Sequence, residues 1–184
     1  MSESQGSRTT DVANGLVAGL RASTVEWESA IRDCPDDAFN ATHADRWSPA
    51  QILMHLVMTE KSINGVLAGP SERVDENRKP VHDRMERGLT DATRKLNAPK
   101  FLEPRAERYD KQRLIDKLKS NRDALEQILS NASDMDNLFT SFPHPYFGLL
   151  TGYEWARNVL LHANRHLAQF RNTIDAFTAN GSGS

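Results

Sequence analysis

Two histidines, His162 and His166, stand four residues apart, a spacing that places one imidazole above the other on a single helix face. Trp155, Val159 and Phe170 share that phase, so the face carrying the pair is the apolar one. His55 sits in a comparable place in an earlier stretch, three residues after Ile52 and four before Thr59. A His-x-x-x-His pair can converge on one ion at a Zn–N distance of about 2.0–2.1 Å, and a third imidazole from a facing helix completes a tripod. Three neutral nitrogens leave a coordination position for water or substrate, the arrangement of a catalytic rather than a closed structural zinc. The single cysteine, Cys34, allows neither an intramolecular disulfide nor a Cys-based cluster, so any metal site must use His, Asp or Glu. Zn²⁺ suits imidazole best, and Ni²⁺, Fe²⁺ and Cu²⁺ are acceptable to the same ligands. A second reading of these residues stays open: buried neutral imidazoles, hydrogen-bonded inside a non-catalytic bundle that serves as a binding or stress-response protein.

Other residues bear on the reaction. No Asp or Glu falls at inward phase within one turn of the three histidines, so the built-in general base of a His-Glu-x-x-His site is missing. No catalytic residue is assigned. A hydrolase would need its base from His144 or from the long segment between the second and third helices, whereas a thiol could be activated by the metal alone. His144 lies between two prolines and reads either as a pocket group or, the simpler case, as a turn residue. Asn158 precedes His162 by one turn and either lines the cavity or bonds to backbone. Arg165 points about 100° away from His166 and either anchors an anionic substrate or, more simply, pairs with an acid on another helix. Trp47 and Trp155 read as core, Cys34 as an inert thiol, and His43 and His82 as exposed loop residues. No Gly-x-Ser-x-Gly turn and no Gly-rich phosphate loop is found, which leaves serine hydrolases and nucleotide-binding enzymes without support.

Four stretches must position these groups. The first, about Asp11 to Asp33, carries Val12, Leu16, Leu20, Trp27 and Ile31 on one helical stripe. The second opens at Ser48-Pro49-Ala50-Gln51, a capping box with proline at the first helical position, and turns Ile52, Leu56, Thr59 and Ile63 inward. Asp110 is the expected N-cap of the third, Lys111 to Asn131, with Leu114, Ile115, Leu118, Leu125, Ile128 and Leu129. The fourth begins at the Thr151-Gly152-Tyr153-Glu154 capping box and runs to about Ala179, with Trp155, Val159, Phe170, Ile174 and Phe177 inward. Between the second and third, Ser71 to Asp110 is charge-dense and broken by Pro80, Pro99 and Pro104. It reads as a solvated crossover with room for a helix between Val81 and Leu96. A loop is expected around Phe142-Pro143-His144-Pro145, and no segment alternates with a period of two. The fold class that follows is all-α: a four-helix bundle with a long crossover between the second and third helices, forming one domain over residues 1–179. Asn180 to Ser184 has the composition of a flexible tail.

The 184 residues suit one domain, and a net charge of −2 gives no global field for nucleic acid or an anionic membrane. The polar amino terminus has no apolar core of a secretory signal and no run approaches a membrane span, so a cytoplasmic protein with a small-molecule substrate is expected. Association into a homodimer stays open.

Trp47 to Leu56, then His144-Pro145-Tyr146-Phe147-Gly148-Leu149-Leu150-Thr151, then Glu154-Trp155 through His162-Ala163-Asn164-Arg165-His166-Leu167-Ala168-Gln169, resemble the DinB-like (DinB/YfiT-like) family in order and spacing. The segment from Ser71 to Arg108 matches only loosely. The resemblance implies a four-helix bundle with a long crossover and a divalent metal held by one histidine of the second helix and two of the last. Those positions fall on His55, His162 and His166. It further implies either a transferase or isomerase that uses the metal to hold a low-molecular-weight thiol, or a metal-dependent hydrolase. The missing carboxylate tilts the expectation towards transfer of a thiol to a small electrophile.

Overall fold

The structure, a computed structural model, describes residues 2–42, 46–75, 77–91 and 97–181. Four long helices run as α1 (Ser2–Asp33), α3 (Pro49–Leu67), α5 (Lys111–Asn131) and α6 (Gly152–Gly181). Short α2 (Asp36–Phe39) follows α1, and the crossover holds α4 (His82–Thr90) and a 3-10 turn at Lys100–Leu102. Both capping boxes form. The Ser48 hydroxyl accepts from the Gln51 amide while the Gln51 side chain accepts from the Ser48 amide, and Thr151 and Glu154 exchange the equivalent bonds. Asp110 accepts from the Arg113 amide at 2.7 Å and starts α5 as expected.

The apolar stripes meet in two clusters. Leu16, Leu20, Ile63, Leu125, Leu129, Trp155 and Val159 pack at one end, with Met85 and Leu89 of α4 added from the crossover. Trp27, Ile31, Ile52, Leu56, Leu114, Leu118 and Phe170 pack at the other. Between them, by position along each helix, lies a buried polar layer: Arg122 of α5 holds Glu60 of α3 through Nε and Nη2 at 2.9–3.2 Å and donates to Thr24 of α1 at 3.1 Å. Burial raises the Glu60 carboxyl above its ordinary range, and the arginine opposes this.

Several expectations are corrected. Helix α1 begins at Ser2, well before Asp11, and Val12 faces solvent rather than the core. The last helix continues to Gly181, into the segment read as tail, and residues 182–184 lie outside the described ones. In the crossover, by contrast, α4 lies within the span expected for a helix, and residues 92–96 of that span lie outside the described residues. The expected loop around Pro143 belongs instead to a hairpin, β2 (Leu138–His144) and β3 (Gly148–Thr151), which β1 (Ser71–Glu72) extends to a three-stranded antiparallel sheet in the order β1-β2-β3. Its pairing jumps from Phe139↔Leu150 to His144↔Gly148, an irregularity that accommodates Pro143 and destroys the two-residue alternation. Gly148 turns the hairpin at φ 76°, where a Cβ is disfavoured. The crossover is latched to the start of α6 by Arg78, whose guanidinium grips Glu154 through both oxygens at 2.7 and 3.0 Å and also donates to the Leu149 carbonyl. Among the described residues, no helix is long and apolar enough to cross a membrane.

Candidate metal centre and cavity

The capping boxes at Ser48 and Thr151 fix where α3 and α6 start, and the apolar stripes packed in the core turn the histidine faces inward. Contact between the two helices brings His55 against His162 and His166, with ring centroids 4.4–5.2 Å apart. One potential ligand atom from each lies within 4.8 Å of the other two, so the three residues singled out by helical phase do converge. Nδ1 of His55 is 2.8 Å from the Leu102 carbonyl, which can only accept. The ring proton therefore sits on Nδ1 and the Nε2 lone pair is left for another partner. His166 repeats the device, its Nδ1 donating to Oε1 of Gln169 at 2.8 Å. Its Nε2 lies 3.1 Å from Nε2 of His162, close to the span of about 3.3 Å between two nitrogens on one tetrahedral zinc. Nδ1 of His162 is buried without a hydrogen-bond partner.

Burial lowers the pKa of all three imidazoles: His166 falls to about 3, His162 goes well below its ordinary value, and the shift at His55 is opposed by the Leu102 carbonyl. They are neutral at pH 7, as metal ligands must be. Convergent neutral nitrogens, each of two fixed through its far nitrogen by an oxygen acceptor, fit a divalent cation. The triad can hold one.

The triad faces a cavity of about 840 Å³. Ile63, Val66 and Leu89 supply apolar wall, Phe101, Phe142 and Tyr146 line it as aromatic groups, and one carboxylate, Glu103, is among its described lining residues. His144 lines this cavity, so the turn reading is incomplete: its Nδ1 accepts from the Tyr146 amide, its ring stacks on Phe147 at 4.6 Å, and burial lowers its pKa to about 4. The Asn158 carboxamide, buried on the cavity wall, faces His144 Nε2 at 3.4 Å. Arg165 also lines the cavity, and its Nη1 donates to the carbonyls of Leu89 and Asp91 at the end of α4. Trp155 is core as expected, whereas Trp47 is half-buried against the His55 ring at 5.1 Å. His82 is a half-buried first residue of α4 rather than exposed, and His43 lies outside the described residues. Cys34 is buried, its thiol pushed up to about 11, and is inert as expected.

Leu102, Gln169, Phe101, Phe142 and Tyr146 escaped the reading of the sequence. Gln169 alone carried a signal, one turn beyond His166 on the same helix; the others come from the crossover and hairpin, whose path no periodicity reveals. No curated protein and no solved structure gives a significant match to the chain. The sequence profile of the DinB superfamily matches residues 20–170, a span that includes the helices meeting at the triad and the hairpin and crossover that wall its cavity. The helical fold and this match together make the chain a member of the DinB superfamily.

Proposed function

We propose that the protein is a metal-dependent transferase that joins a low-molecular-weight thiol to a small electrophile. The observation that carries this reading is three neutral imidazoles converging on a cavity, a ligand set that includes no carboxylate. A bound divalent ion, with Zn²⁺ the first choice, would supply the positive charge that brings a thiol to thiolate near neutral pH. The remaining work falls to the chain. Leu102 and Gln169 hold the His55 and His166 rings so that their Nε2 atoms face inward. Asn158 and His144 present polar edges to the reactants, and Arg165 adds positive charge to the wall for an anionic group of either one. In the transfer, the sulfur lone pair forms a bond to an electrophilic carbon, that carbon's bond to its leaving group breaks with its electrons, and the thiol proton passes to water.

A hydrolase is the second reading, favoured by Glu103 of the crossover, a carboxylate on the cavity wall that could serve as general base. The metal-loaded protein, incubated with a panel of thiols and electrophiles beside ester, amide and phosphoester substrates, separates the two. Thiol-dependent turnover lost in His55→Ala and retained in Glu103→Gln supports transfer. Turnover of an ester, amide or phosphoester without thiol, lost in both variants, overturns it.

A further inference from the structure

Six large apolar side chains are exposed among the described residues, and three of them, Phe101, Phe142 and Tyr146, at 56%, 36% and 43% exposure, line the one cavity that the triad faces. They arrive from distant parts of the chain. Phe101 sits on the 3-10 turn of the crossover, Phe142 on β2, and Tyr146 in the hairpin turn. The Phe101 and Phe142 rings meet edge to face at 5.9 Å, and the Tyr146 hydroxyl donates to the Asn97 carbonyl at 3.2 Å, which ties the hairpin to the crossover. Rings left this open to water bury little area for the fold, yet two separate segments deliver them to the same opening. Ile63, Val66 and Leu89 add to the apolar lining. The cavity thus combines an imidazole cluster with apolar lining, and its volume falls in the range of small-ligand sites.

We infer that Phe101 and Phe142 form an apolar specificity subsite, and that the electrophile of the proposed reaction carries an aromatic or branched hydrocarbon group that lies against these rings while its reacting atom faces the triad. The inference deepens the transferase reading and rests on it for the word electrophile; the subsite itself does not. Phe101 precedes Leu102, whose carbonyl holds His55, so the turn that carries the ring also sets a ligand's orientation. Phe142 has no such link along the chain, and its removal tests the mouth by itself.

The test uses the zinc-loaded full chain and two probes, imidazole and 4-phenylimidazole, titrated by calorimetry. The phenyl compound is expected to bind at least tenfold more tightly, a difference of about 1.4 kcal/mol. Phe142→Ala and Phe101→Ala should each remove most of that advantage while the affinity for imidazole in Phe142→Ala and the melting temperature of both variants stay unchanged. Absence of a phenyl advantage in the unmodified chain, or its survival in both variants, overturns the inference. So does a shift from dimer to monomer in either variant by sedimentation, which would assign the rings to contact between copies. If no thiol transfer is found with any substrate while the phenyl advantage persists, the transferase reading fails and the apolar subsite stands.

Discussion

Replacing Gln169 by leucine removes the oxygen that accepts from Nδ1 of His166 at 2.8 Å and leaves the histidine itself in place. Gln169 is exposed, so the metal-free protein should change by no more than about 0.5 kcal/mol. The metal-loaded protein should change more. Loss of such a supporting hydrogen bond costs roughly 10- to 100-fold in metal affinity, because the ring loses both its fixed tautomer and its orientation. With free Zn²⁺ at 100 times the unmodified dissociation constant, binding adds about 2.7 kcal/mol of stability. The weakened site would retain only about 1.4 to 0.4 kcal/mol of this, a loss of about 1.3–2.3 kcal/mol. For a chain of this size, that lowers the melting temperature by roughly 3–9 °C. The assay is a pair of thermal scans, with buffered zinc and with chelator, beside a zinc competition titration against a chromophoric chelator. Equal zinc affinity in the two proteins, or an equal drop in melting temperature with and without metal, would refute the tautomer argument.

Three further outcomes follow from buried groups outside the triad. Arg122→Met strands the Glu60 carboxylate and should cost about 3–5 kcal/mol, much of it recovered when Glu60→Leu is added; urea unfolding that shows no recovery in the double variant contradicts the polar-layer account. Since the carboxyl is held above its ordinary 4.5 in the fold, its contribution is favourable below that pH and is lost as pH rises through the folded value, so the single variant should suffer most on the alkaline side. Glu154 has the opposite sign: burial would raise its pKa, but hydrogen bonds from Arg78, Thr151 and Val81 outweigh this and lower it, so its stabilisation is present above 4.5 and disappears as pH falls through the folded value. Arg78→Met should flatten that acid-side loss in a series of unfolding curves, and an unaltered pH profile would argue against the latch. Gly152→Ala places a Cβ 2.6 Å from Met135 Sδ and 3.0 Å from Met135 Cα, and the backbone atom cannot swing aside as the sulfur can. A cost of about 1–3 kcal/mol is expected, read as a lower urea midpoint, and an unchanged midpoint would show that the segment around Met135 accommodates it.

Local rules carried the four long helices and the three histidines that converge. Ser48 with Gln51, Thr151 with Glu154, and Asp110 mark helix starts through bonds spanning three residues, so the sequence alone determined where α3, α5 and α6 begin. Helical phase then determined which face each histidine shares, since a rotation per residue is a property of the helix and not of its neighbours. The stripes held one further message: Leu20 to Trp27 and Leu118 to Leu125 are each a step of seven positions, and the gaps are filled by Thr24 and Arg122, the polar layer that meets Glu60. Which acid the arginine takes was beyond local reading, because it depends on how three helices are aligned. The cavity was decided by tertiary structure throughout. Leu102 holds His55 across 47 positions of chain, and Phe101 meets Phe142 through two segments that obey no period. The hairpin was hidden for a related reason: its strand carries Pro143 and an irregular register, and pairing with β1 and β3 rather than any alternation of its own makes it a strand. Bonds closed over three or four residues leave a signature in sequence, whereas contacts closed over dozens depend on loop paths that only the assembled core selects.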